Sequence, residues 1–435
     1  MHGPAFELAR TVSAGEVHPV EAVEQAVRAI ERHRELNAVI TVCAEEALAR
    51  ARAGVSGPLA GVPLLVKDVF DTAEVRTTAG SGIYADRVPS RSAAAVTTLE
   101  DAGAIVVAKT SCDEFAWGVT GQNHFYGDCA NPRRPGRITG GSSSGNAAAL
   151  ATGLAALAIG SDTGGSVRMP AACCEVVGMK PRVATLSTAG MFPLCPSFDT
   201  PGPMARTVGD AALAYSVLAG RRRADRGPAG SGAGELRAGD VRAGDLGAGE
   251  LRAGVVTAPP PLAPDAPAAP PDERALELAA RAEEVGIRCE EVTLPVPQAN
   301  LWPVFYAEAA RSHRATFPAR REEYGPTIRA KLDDAQRLPP DALAAGYRAL
   351  ASWRARAQTE PSVDVVICPT LGVTEIPASD VDELEIRVPF SAYTRVFSFL
   401  GWPAIAIGGV QIAARDPEPM FAAALAWERR YGPPE

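Results

Sequence analysis

The sequence predicts an α/β fold built on a mostly parallel or mixed sheet, and three observations carry that prediction. Segments of helical period alternate with short apolar runs along the whole chain, the pattern of strands joined through helices. The run VPLLV (62–66) is continuously apolar, and AIVVAKT (104–110) and VDVVICPT (363–370) are predominantly so, as strands covered on both faces require. Two Gly-Gly-Ser turns, GGSSSG (140–145) and TGGS (163–166), flank an alanine-rich apolar segment (147–159). Such turns let backbone approach a ligand closely, so the pair aims hydroxyls and N–H groups at one place, the layout of an acyl-transfer site.

In chain order, Val20, Val23, Val27 and Ile30 recur at helical spacing behind Pro19, a residue suited to a first helical position. VPLLV follows as a strand, leaving Lys67 and Asp68 at its carboxyl end, where open α/β sheets place ligands. Residues 93–103 read as a helix, 104–110 as a strand, and 113–128 as a Gly-, Asn- and aromatic-containing loop suited to a pocket wall. Composition shifts after Gly220: near-copies of GELRAG precede TAPPPLAPDAPAAPP, so 221–271 reads as a low-complexity Gly/Ala/Pro-rich mobile insert, with a strand at 251–256. A helix and strand restart in 272–295, a helix covers 341–357, and 390–408 reads as helix, turn and last core strand.

Composition sets the outer bounds. The 435 residues are 46% hydrophobic and 22% charged, with a net charge of -8, which disfavours generic nucleic-acid binding. Eight scattered cysteines without CxxC spacing predict thiols in a reducing compartment, and the five histidines form no metal-ligand spacing. No signal peptide or membrane-length apolar run is evident, so the expected location is cytoplasmic. GGSSSG lacks the GKS or GKT ending of a phosphate-binding loop, and no GxSxG elbow with a suitable histidine fits the turns.

GGSSSGNAAAL, GSDTGGSVRMPAACC and VVGMKP, together with GPLAGVPLLVKDVFDT (57–72) and SFDTPGPMART (197–207), resemble the amidase signature family, the serine amidohydrolases with a Ser–cis-Ser–Lys triad. That resemblance implies a large mixed, mostly parallel central sheet covered by helices on both faces, in a single domain (1–435) with its catalytic core at about 57–210. It implies Ser166 as nucleophile, Ser142 (joined to Gly141 by a cis peptide) as relay, and Lys67 as base. Thr163, Gly164 and Gly165 would form the oxyanion hole with the amide of Ser166, and Ser143, Asp162 and Arg168 would support the site. No metal or other cofactor is implied. The expected ligand is a small-molecule amide, with no nucleic acid and no membrane, and a homodimer is the default assembly.

Three readings follow: an amidohydrolase of small carboxamides or linear amides, the glutaminase (A) component of a tRNA-dependent amidotransferase, and a non-catalytic binding descendant of the fold. Departures from the family pattern include Glu74, Arg76, Cys173, Glu175 and Arg182, and a shortened turn in AIAIGGVQIAA expected to border the pocket. Glu175 is the costliest-looking of them, since a carboxylate near a buried site needs a partner. Pocket walls are expected from 117–126, 191–197, Tyr306 and 393–397, with Arg387 or Arg395 as holder of a substrate carboxylate.

Overall fold

Apolar runs with no polar alternation must bury both faces; here they form the interior of one sheet, while its edges are the part-exposed segment 39–42 and the largely polar segment 288–291, and eleven strands take part. In the computed structural model, which describes residues 3–226 and 251–434, those strands are β1 (Val39–Val42), β2 (Pro63–Lys67), β3 (Ile105–Thr110), β4 (Leu157–Asp162), β5 (Val177–Lys180), β6 (Thr200–Ala205), β7 (Arg252–Val255), β8 (Arg288–Glu291), β9 (Val365–Pro369), β10 (Ala404–Ile407) and β11 (Val410–Ala414). Their order is β1-β3-β2-β4-β6-β5-β10-β11-β9-β7-β8. Successive side chains of β2 separate to opposite faces: Leu64 and Val66 join one apolar cluster and Leu65 the other. Helices cover both, with Ser144–Ala151 and Pro19–Arg32 in the second cluster and Val208–Arg226 and Pro417–Tyr431 in the first.

The sheet is mixed, and its balance differs from the expected one. Parallel pairing is confined to the two wings, β3/β2/β4 and β9/β7/β8. Every strand pair from β4 across β6, β5, β10 and β11 to β9 is antiparallel. The cause at β10–β11 is local: Gly408 and Gly409 close a two-residue hairpin in which Ile407 pairs with Val410, and Gly408, at φ 54, supplies the positive φ such a turn needs.

The alanine-rich segment divides into the helix Ser144–Ala151 and strand β4. Of the low-complexity stretch 221–271, residues 227–250 lie outside the described residues. On its flanks the helix from Val208 runs to Arg226, and β7 forms where a strand was expected. Among the described residues, no helix is long and apolar enough to cross a membrane.

Candidate active site

Strands β2 and β4 are parallel neighbours, so their carboxyl ends open at the same edge of the sheet. Lys67, the last residue of β2, is fully buried there. Its Nζ donates to Ser142 Oγ at 2.7 Å and to Ser161 Oγ at 2.9 Å. Burial pushes the lysine down from its ordinary 10.5 to about 8, against the opposing pull of nearby acidic groups, because an apolar enclosure penalises the charged form. Ser142 follows a cis peptide bond from Gly141 and precedes the helix Ser144–Ala151. A Cβ on Gly141 would collide with the Asp113 carboxylate, which accepts N–H donations from Thr120 and Gly121 beneath the loop. Ser161 carried no separate signal in the sequence, although it stands in the same GSDTGGS stretch.

The second turn leaves β4 at Asp162. That buried carboxylate accepts from Gly165 N (2.8 Å), Val167 N (3.2 Å), Arg168 Nε (3.0 Å) and Arg168 Nη2 (2.9 Å). Burial alone would raise its pKa, but the guanidinium and these N–H groups hold it below the ordinary carboxylate range. Arg168 also donates to Thr394 O, Gln411 Oε1 and Ser398 Oγ, tying the turn to the helix Thr394–Leu400 and to β11. The two turns meet where Ser143 N donates to the Ser166 carbonyl at 3.0 Å, and Ser143 Oγ donates to Ser161 O at 3.4 Å.

Of the expected relay, the Lys67–Ser142 half is formed, while a Ser142–Ser166 hydroxyl contact is not among the hydrogen bonds of the described residues. Of the expected oxyanion amides, Gly165 N is engaged by Asp162. The amides of Thr163, Gly164 and Ser166 have no intramolecular acceptor among the described residues and border the open cavity. Gly165 instead has a spatial role: at φ +132 its missing Cβ would come 2.6 Å from Thr394 Cβ. Thr163 Oγ1 donates to Asp199 at 2.6 Å, and Asp199, raised to about 6 by burial, accepts from Leu194 N and Cys195 N.

Ser166, Thr163 and Gly164 face a cavity of about 290 Å³. The expected wall residues Trp117, Val119, Leu194, Tyr306, Arg387 and Arg395 line it. Tyr393 does not line it and donates to Thr257 O at 2.8 Å. Trp302, Phe305, Lys331 and Glu383 line it without having been expected there. Lys331 and Glu383 form a buried pair at 2.8 Å, and Lys331 also donates to the Trp117 carbonyl at 2.6 Å.

Two departures from the family pattern fall away from this cavity. Glu175 ends the helix Arg168–Cys174 at φ 56, with its side chain partly exposed and paired to Arg134 at 2.7 Å. The Gly408–Gly409 turn borders a separate recess with Glu175 and Tyr431. Ala404 of β10 pairs with Lys180 and Ile407 with Val177, which puts that turn at the sheet edge opposite Lys67.

Among the described residues no group of three His, Cys, Asp or Glu side chains is placed to hold a metal ion.

A model of the Amidase family matches residues 21–414. The A component of the glutamyl-tRNA(Gln) amidotransferase of Lachnospira eligens is 43% identical over 226 residues, 50% of this chain and 47% of that protein. The chain thus spans less than half the length of that relative. Similarity to solved structures extends much further. The native peptide amidase of Stenotrophomonas maltophilia superposes with a TM-score of 0.78 at 27% identity, covering 100% of this chain and 98% of that one. A 6-aminohexanoate cyclic dimer hydrolase superposes with a TM-score of 0.84 at 25% identity, covering 98% and 96%.

Proposed function

This chain belongs to the amidase signature family, and on that premise we propose that it hydrolyses a small carboxamide or linear amide through an acyl-enzyme on Ser166. A serine hydroxyl is a weak nucleophile until a base takes its proton. Ser166 Oγ attacks the amide carbon as its proton passes to Ser142 and the Ser142 proton passes to neutral Lys67. The amides of Thr163, Gly164 and Ser166 receive the oxyanion, each donor of this kind contributing on the order of 10²–10³ in rate. Collapse of the tetrahedral adduct breaks the C–N bond, and the proton held by Lys67 returns through Ser142 to the leaving nitrogen. Water then adds to the acyl-enzyme by the same relay and releases the acid.

The observation that supports this reading most directly is a buried Lys67 at 2.7 Å from Ser142 with its pKa brought to about 8. A lysine serves as base only in its neutral form, which this enclosure makes accessible near neutral pH. The test is intact-mass labelling with a fluorophosphonate on the parent, Ser166→Ala and Lys67→Ala. One adduct, lost in Ser166→Ala and much slowed in Lys67→Ala, is expected. A well-folded parent that takes no label, either alone or together with any co-purifying protein, would refute the mechanism.

The second reading, a glutaminase that works within a complex, draws on the likeness to the amidotransferase A component over half of the chain. Peptide amidase and cyclic dimer hydrolase match over nearly the whole length and favour the first. A partner co-purifying with the chain and required for labelling would reverse that order.

A further inference from the structure

The cavity beside Ser166 is lined by four charged side chains, Lys331, Glu383, Arg387 and Arg395. Lys331 and Glu383 neutralise one another at 2.8 Å. Arg387 and Arg395 form no ion pair among the described residues. Arg395 donates through Nη1 to the Val388 carbonyl at 2.8 Å, and its buried Nε has no hydrogen-bond partner. Its guanidinium lies 5.4 Å over the Trp302 ring, and that of Arg387 lies 6.0 Å over Tyr306. A guanidinium beside an aromatic ring can still offer N–H donors to a planar acceptor. The cavity therefore offers aromatic walls and two guanidinium groups that have no carboxylate partner among the described residues. Burial has already pushed Arg395 down to about 10, the direction expected of a cation that lacks its counter-charge.

We propose that this cavity selects amides whose non-reacting end carries a carboxylate on a flat apolar body, with Arg387 and Arg395 as the specificity-determining residues. A carboxylate takes two parallel N–H donations from such a fork and restores charge balance, whereas an ammonium at the same place would face two like charges. The proposal rests on Ser166 being the acylated residue, because that hydroxyl fixes which end of the substrate points away from the arginines.

The test uses binding, so that it does not depend on turnover. The Ser166→Ala chain is titrated calorimetrically with 4-carbamoylbenzoate, 4-methylbenzamide and 4-(aminomethyl)benzamide. The carboxylate is expected to bind roughly 10- to 100-fold more tightly than the neutral amide, the factor a charge-assisted hydrogen bond supports, and the ammonium compound most weakly. Adding Arg395→Met or Arg387→Met should bring the carboxylate down toward the neutral amide and leave the neutral amide unchanged, which also reports an intact cavity. Should Arg395→Met lose the neutral amide as well, Arg395→Lys decides, with selective weakening of the carboxylate expected. Equal binding of the three compounds, binding of none, or a carboxylate preference that survives the arginine replacements overturns the proposal. Fluorophosphonate labelling of the parent separates the two claims. Labelling without carboxylate selectivity defeats this one alone, and selectivity without labelling defeats the hydrolase reading alone.

Discussion

Replacing Lys67 by Met should make the protein inactive and change its stability in a way that depends on pH above about pH 8. Burial lowers the lysine from 10.5 to about 8. Below pH 8 the folded and unfolded chains both carry the ammonium, so the folded chain bears the full cost of enclosing it. At about 1.4 kcal/mol per pH unit of displacement, that cost is roughly 3 kcal/mol. Between 8 and 10.5 the unfolded chain binds the extra proton, so the stability of the parent rises with pH, and above 10.5 the cost is gone. Met carries no such term. It does leave the Ser142 and Ser161 hydroxyls without their donor, a loss of about 1–3 kcal/mol that stays constant with pH. The absolute effect at pH 7 is therefore a near-cancellation, and the informative quantity is its pH dependence. Denaturant titrations of both proteins should show the parent gaining roughly 2 kcal/mol on the Met variant between pH 7 and pH 10. A stability difference that does not move over this range would mean Lys67 is not depressed in the folded chain, and the assignment of a neutral lysine base would fail with it.

Gly165→Ala should abolish labelling of Ser166 and destabilise the fold by about 1–3 kcal/mol, because the new methyl meets Thr394 at a positive φ; labelling at the parental rate in this variant would refute the described turn. Glu175→Gly should leave labelling unchanged and shift stability by no more than about 1 kcal/mol, since glycine relieves the left-handed φ of 56 while a partly exposed pair with Arg134 is lost; a marked fall in labelling would place Glu175 closer to the chemistry than its surface position does.

What could be read from sequence, and what could not, divides by the range of the constraint. The turns around Ser142 and Ser166 and the strand-end position of Lys67 are local features: glycine pairs and an uninterrupted apolar run are visible within ten residues. The hairpin at Gly408–Gly409 is equally local, since two glycines between short apolar runs signal such a turn, yet against the family pattern the same segment reads as a shortened pocket loop. The Lys331–Glu383 pair has no such signal. Its members stand 52 residues apart on separate helices, and nothing in either helix distinguishes them from surface charges before the helices are packed. Trp302 and Phe305 carry no local signal for the same reason. The mixed sheet is as expected, but its mostly parallel balance fails in the middle, where strand direction is set by how β6 and the β10–β11 hairpin return, a matter of long-range pairing rather than of strand composition.

The buried lysines of this chain argue among themselves for which one does chemistry. Lys109 lies 3.1 Å from Asp68 and donates to Phe70 O and Thr77; Lys331 lies 2.8 Å from Glu383. Each is balanced by a carboxylate, the usual condition for keeping a charge inside a protein, and each can stay an ammonium. Lys180 and Lys67 have no ion-pair partner of this kind among the described residues. Lys180 is driven well down by burial and by the neighbouring Arg168, but it donates to the carbonyl of Pro181 at 2.8 Å, and a carbonyl has no proton to give. Lys67 alone combines depression by burial with two serine hydroxyls as its partners, and one of those serines belongs to the loop that Ser143 ties to Ser166. A lysine that is easily neutral is useful as a base only where an exchangeable proton stands beside it, and in this fold that condition is met at the end of β2.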